Sequence, residues 1–196
     1  MTCCGFVIRG DDGYLWGDGE QYLFGQPTTD PMEKTATSPG GLAAVATGQV
    51  VLCEQVRRLV AGLGLAPFSD ALRRLPRELR EACAEERAHC REIEAPDPVH
   101  LSCGLIGPGE GEMRGAVFAE ATNFEPRLAS AWLSPNVGGA LPRTAQEVLS
   151  VAQRQLQFVR NLYPGATGKT FTIARVGRTG IAKRSVPLLI GDERAA

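Results

Sequence analysis

Leu42-Ala43-Ala44-Val45-Ala46-Thr47-Gly48 is apolar at almost every position, a pattern suited to a buried strand. Past Gly48 the period changes at once. Leu52, Val56, Leu59, Val60 and Leu63 fall on one face at helical spacing, so a strand ends on a glycine and passes into a helix. Upstream, Pro39-Gly40-Gly41 turns the chain into this run from an expected strand over 32–38, which is reached by a loop through Gln26-Pro27-Thr28-Thr29-Asp30-Pro31. Further back, two short extended segments, 3–9 and 14–18, flank the turn chemistry of Gly10-Asp11-Asp12-Gly13.

Downstream, a second helical stretch carries Leu72, Leu75, Leu79, Cys83 and Ile93. Pro76 is expected in a first turn of it, or at a break, because proline has no N–H for a helix interior. Three strands follow at 99–106, 115–121 and 127–133. A third helix opens on the capping box Thr144-Ala145-Gln146-Glu147, shows Ala145, Val148, Ala152, Leu156 and Val159 on one face, and stops at Tyr163-Pro164-Gly165. Segments 169–176 and 181–189 read as two last strands. Blocks of strands separated by blocks of helices, without βαβ alternation, predict an α+β chain of stacked sheets with helices on their outer faces. The 196 residues are expected to form one domain, 1–196, with a sizeable core.

Composition narrows the function classes. Hydrophobic residues at 43% and charged residues at 22% are ordinary for a soluble globular protein. A formal net charge of -1 offers no electrostatic case for nucleic acid or an anionic membrane as partner. The first residues lack the apolar core of a signal peptide, and no run of 18 apolar residues suggests a transmembrane helix. The six cysteines follow no framework spacing. Reduced thiols in a cytoplasmic protein are therefore the expectation.

The chemistry concentrates at the start of the chain. Methionine removal favours a small second residue, and Thr2 qualifies. Processing would leave an α-amine and a hydroxyl on one residue, a nucleophile with its own base. Asp18, in Trp16-Gly17-Asp18-Gly19, lies sixteen residues after Thr2; Lys34 lies sixteen further on, and Gly48 another fourteen. On these residues and offsets the chain resembles the proteasome β-subunit family, including its bacterial HslV relatives, within the N-terminal-nucleophile (Ntn) hydrolases. The Gly17-Asp18-Gly19 wording is especially close to HslV, while motif-level similarity fades after about Leu63. The order of elements over the whole chain also fits the family's four-layer αββα sandwich.

That resemblance implies a threonine-type peptidase, with Thr2, Asp18, Lys34 and Gly48 in the catalytic roles. Thr2 Oγ would attack the scissile carbonyl and form an acyl-enzyme. A free α-amine, with a reference pKa of about 7.7–8.0, is largely protonated at neutral pH; a neighbouring Lys34 ammonium would favour its neutral, basic form. Asp18 would orient Lys34. The Gly48 N–H would face the oxyanion, aided by the dipole of the following helix. The resemblance further implies a substrate pocket lined by Gln21, Met32, Ala36, Ala46, Val50 and Glu54, mainly apolar, with cleavage after medium apolar residues. It implies homo-oligomeric rings acting on unfolded polypeptide in an inner chamber, and neither metal nor cofactor. Whether an ATPase unfoldase feeds the chamber stays open. A small-metabolite amidase of Ntn type and a catalytically silent ring subunit are the alternatives. The chain departs from the family at Glu20, where arginine is common, and over 163–168, which offers neither the usual aspartate nor the usual serine; Ser134 is a candidate for the serine that follows the middle strands.

Other signals are weaker. Cys3 could act as an N-terminal nucleophile only if Thr2 were also removed, and alternation puts it on the opposite face from Thr2. Gly165-Ala166-Thr167-Gly168-Lys169-Thr170 misses the phosphate-loop pattern, whose first glycine would fall at Tyr163. Cys83, His89 and Cys90 lack the spacing of a zinc site, and no G-x-S-x-G is present.

Overall fold

The computed structural model of the chain describes residues 2–19, 22–23, 26–27, 32–95, 99–162 and 170–187. In chain order, β1 (Cys4–Arg9) and β2 (Asp12–Asp18) are followed by the two-residue strands β3 (Tyr22–Leu23) and β4 (Gln26–Pro27), then β5 (Thr35–Thr37) and β6 (Ala43–Gly48). Helices α1 (Val50–Gly62) and α2 (Phe68–Glu92) precede β7 (Leu101–Pro108), β8 (Met113–Ala119), β9 (Arg127–Leu128) and β10 (Ala131–Ser134); α3 (Ala145–Leu162), β11 (Thr170–Gly177) and β12 (Gly180–Pro187) follow. β3 pairs with β4, and the other strands make two five-stranded antiparallel sheets, ordered β10-β1-β2-β11-β12 and β5-β6-β7-β8-β9. The chain is thus an α+β sandwich of two antiparallel sheets with three helices among the described residues.

β6 shows why its sequence is apolar throughout. Ala43 and Val45 point between the sheets, where they meet Phe6, Leu15, Ile106 and Ala174. Ala44 and Ala46 point the other way, into the layer that α1 and α2 cover with Leu52, Val56, Leu75 and Leu79. A strand buried on both faces cannot alternate with polar residues. On the far side of the first sheet, Val148, Val151, Ala152, Leu156 and Val159 of α3 close over Val7, Trp16, Phe171 and Ile173. Among the described residues no helix is long and apolar enough to cross a membrane.

Two expectations are corrected. Pro76 neither starts a helix nor breaks one: it lies inside the 25 residues of α2. It leaves the Leu72 carbonyl without its helical N–H, and interior proline costs about 3 kcal/mol or more. Phe68, Leu75 and Leu79 are buried on the same helix, and each large apolar side chain contributes about 1.5–3 kcal/mol, which outweighs that loss. The expected strand over 127–133 is two strands in different sheets. Leu128 pairs with Ala116 and the Ala129 N–H donates to Gly115 O at 3.0 Å, while Ser130 O accepts from the Ile8 N–H at 2.7 Å in the other sheet. One peptide step carries the chain across, and both halves keep the extended pattern that made them look continuous.

The helix start at Thr144 is close to the expected one. Thr144 Oγ1 accepts from the Glu147 N–H at 3.2 Å, but the Glu147 carboxylate reaches back to the Arg143 N–H at 2.7 Å, one residue further than in a capping box.

The sheets approach closely over β7. A Cβ at Gly104 would lie 2.6 Å from Phe6 Cδ1 and 2.8 Å from Trp132 Cε3. Overpacking of this kind costs about 1–3 kcal/mol. Gly104→Ala should therefore lower the melting temperature, by about 2–4 °C per kcal/mol for a chain of this size. Calorimetry checks it, and an unchanged melting temperature would mean that the sheets are not held this tightly.

Candidate active site

The β1–β2 hairpin sets up the site by register. Cys4 pairs with Gly17, so the residues before β1 lie beside the end of β2. The Asp18 N–H donates to Cys3 O at 2.9 Å, and the Cys3 N–H donates to Asp18 Oδ2 at 2.7 Å. Thr2 is the next residue out. From the other sheet comes Lys34, just before the edge strand β5, its carbonyl accepting the Ala46 N–H at 3.2 Å. Lys34 Nζ donates to Asp18 Oδ1 at 2.6 Å and to Thr2 Oγ1 at 3.0 Å.

All three residues are buried, Thr2 at 5%, Asp18 at 3% and Lys34 at 5% exposure, so the ion pair lies out of solvent. Both carboxylate oxygens of Asp18 are engaged. A hydroxyl that accepts a bond from an ammonium is poised for a particular change. Negative charge developing on its oxygen is stabilised, and its own proton stays available to a base.

Gly48 ends β6 with φ +144, and a Cβ there would fall 2.0 Å from His100 O. Only glycine fits. Strand alternation turns the Gly48 N–H to the same side as the Ala46 N–H, toward the segment that carries Lys34. α1 begins two residues later with no acidic residue in its first turn, so the positive end of its dipole is not neutralised from within. The structure thus joins Thr2, Asp18 and Lys34 by hydrogen bonds and sets Gly48 two residues along β6 from Lys34's backbone partner.

The neighbouring thiols differ from these charged groups. Burial pushes the Cys4 thiol well above its ordinary pKa, with Asp18 acting in the same direction and Lys34 against it. Cys53 of α1 is pushed up to about 11, again by burial first, with Lys34 opposing and Asp18 assisting. Cys3 packs under α3 with Val7 and Trp16, away from Thr2.

The sequence-derived pocket residues divide into two groups. Met32, Ala36 and Ala46 are buried beneath α1 with Leu52 and Val56, and Ala46 is fully covered in the single chain. Val50, 38% exposed, and Glu54 lie one turn apart on α1. The Glu54 carboxylate pairs with Arg57 at 2.6 Å and Arg58 at 3.4 Å, so it adds no net negative charge to that surface. Gln21, Glu20 and residues 163–168 lie outside the described residues. Ser134 is half-buried at the end of β10, in register with Cys4.

Sequence reasoning missed Gln155. It is fully buried on α3 and bonds to the indole of Trp16, to Cys4 O and to Pro135 O, each at 2.9 Å. The available signal was a polar residue four positions from Val151 and from Val159, on an otherwise apolar stripe.

In comparison with known proteins, the chain matches no protein-family model and no curated protein.

All six cysteines are buried, and burial raises the thiols beside Asp18 and Lys34. A native chain titrated with a disulfide reagent at pH 8 should thus show no fast-reacting thiol, and six after denaturation. A rapid native thiol at Cys3 or Cys4 would contradict this packing and favour a cysteine nucleophile.

Proposed function

We propose that this chain is an N-terminal threonine peptidase, built on the four-layer αββα sandwich of the proteasome β-subunit family and its HslV relatives. The observation that carries the reading is the buried Lys34 ammonium, 3.0 Å from Thr2 Oγ1 and 2.6 Å from Asp18 Oδ1. A lysine taken out of water to meet a carboxylate and a hydroxyl together is costly as a structural device and well suited to activating that hydroxyl.

Removal of Met1 gives Thr2 its free amine. The neutral amine takes the Oγ proton as Oγ attacks the scissile carbonyl, and the Gly48 N–H donates to the carbonyl oxygen as negative charge develops on it. The tetrahedral adduct collapses with the C–N bond breaking, and the proton passes from the ammonium to the departing amine. Water then attacks the Thr2 ester, the amine taking its proton, and the ester C–O bond breaks to release the acid and restore the hydroxyl. Lys34 supplies a fixed positive charge in both halves and stabilises negative charge building on Oγ. No redox change occurs and no cofactor takes part.

Substrate enters over α1, where Val50 is exposed and the charge of Glu54 is offset by Arg57 and Arg58. An extended polypeptide with an apolar side chain directed at this helix fits that surface. Unfolded chains are the substrate class and a homo-oligomeric ring in the cytoplasm is the working form.

Two measurements test the proposal together. Intact mass of the active protein should show Thr2 as the first residue. Thr2→Ala should lower hydrolysis of a fluorogenic peptide by about a thousandfold or more, as loss of a nucleophile does elsewhere, while the chain still folds, with stability lower by about 1–3 kcal/mol for the Lys34 donor left unpaired. Full activity with Met1 retained, or activity surviving Thr2→Ala, would overturn it.

A further inference from the structure

Thr2 and Cys3 precede the first residue of β1, so the regular ladder does not hold the proposed nucleophile. Its position depends on the Cys3–Asp18 bonds and on whatever fixes Cys4. Cys4 is held by its ladder pairing with Gly17 and Ser134 and, from the helix side, by Gln155 of α3. Its side-chain amide, at 0% exposure, donates through Nε2 to Cys4 O and Pro135 O, and accepts the Trp16 indole N–H at Oε1, each at 2.9 Å.

Those three partners are not scattered. Cys4 is two residues after Thr2, Trp16 is two before Asp18, and Pro135 follows Ser134, the register partner of Cys4. One side chain therefore ties together the strand leading from Thr2, the strand ending at Asp18 and the end of β10. The amide can make these bonds in one orientation only. A flip would set its NH2 against the indole N–H and its oxygen against two carbonyls, turning all three contacts repulsive. Val7, Val151, Leu156 and Val159 belong to the buried apolar cluster beneath the same helix.

We infer that Gln155 is a positioning residue for Thr2: it locks β1 against β2 so that Thr2 Oγ stays within reach of Lys34. This inference rests on the threonine-peptidase reading. A hydroxyl held by a 3.0 Å contact tolerates little displacement, and misplacement by about 1 Å can cost about a hundredfold in rate.

The test is covalent labelling of Thr2 by a peptide epoxyketone in the full chain, with the maximal rate (kinact) and the half-saturating concentration (KI) measured separately. Gln155→Leu keeps similar bulk and removes all three bonds; Trp16→Phe removes one and keeps a smaller aromatic ring in the same apolar cluster. Gln155→Leu should lower kinact per folded molecule by about tenfold to a hundredfold with KI unchanged, and Trp16→Phe should lower it by less. A purely structural amide would lower the melting temperature and the folded fraction, leaving kinact per folded molecule as in the wild type; that result overturns the inference. Should Gln155→Leu fail to fold, Trp16→Phe decides, with an unchanged kinact again overturning it. A wild-type chain that takes no label sinks the threonine-peptidase reading itself, and this inference falls with it.

Discussion

The buried ion pair between Lys34 and Asp18 is the constraint around which the rest of this structure is arranged. Removing an ammonium and a carboxylate from water costs several kcal/mol per ion, and close contact repays it only where the remaining lone pairs and protons also find partners. Here both ions have a further partner: Asp18 accepts from Lys34 and from the Cys3 N–H, and Lys34 donates to Asp18 and Thr2. The two ions come from different sheets. Bringing them together requires β2 and β5 to lie against each other, which the apolar layer between the sheets enforces through Phe6, Leu15, Val45 and Ile106. A hydrophobic core thus does positional work for a polar site that could not hold itself together in water.

The same packing explains where glycine is required. Gly104 lets the rings of Phe6 and Trp132 sit against β7, and Gly48 lets the chain leave β6 past His100 O with a backbone that a side chain could not adopt. The first sets the distance between the sheets. The second sets the direction in which α1 departs, and with it the orientation of the dipole next to Lys34.

Much of the layout was legible in sequence, and what was not has a physical reason. The switch from the run 42–48 to helical spacing marked β6 and α1, because a strand buried on both faces and an amphipathic helix differ in period. Thr2, Asp18 and Lys34 could be singled out because their types and offsets resemble those of the proteasome β-subunit family, although offsets carry no distances. The boundary inside 127–133 could not be read, because alternation reports that a segment is extended and is silent about its partner. Pro76 misled because a local rule about proline met a helix whose long buried face outweighs it. Gln155 escaped attention because a single polar residue on an apolar stripe shows its importance only when Trp16, Cys4 and Pro135, far apart in sequence, are seen to converge on it.

The central claim is that the Lys34–Asp18 pair is kept for the reactivity of Thr2 and not for the stability of the sandwich. Asp18→Asn and Lys34→Met, singly and combined, test it most directly when unfolding free energy and covalent labelling of Thr2 are measured on the same preparations. Each single change leaves an unpaired buried charge and is predicted to cost about 3–5 kcal/mol, while the double change removes both charges and recovers most of that loss. All three variants should lose the reactivity of Thr2. A stable double variant that labels Thr2 at the wild-type rate would contradict the account, since the pair would then have no part in making the nucleophile.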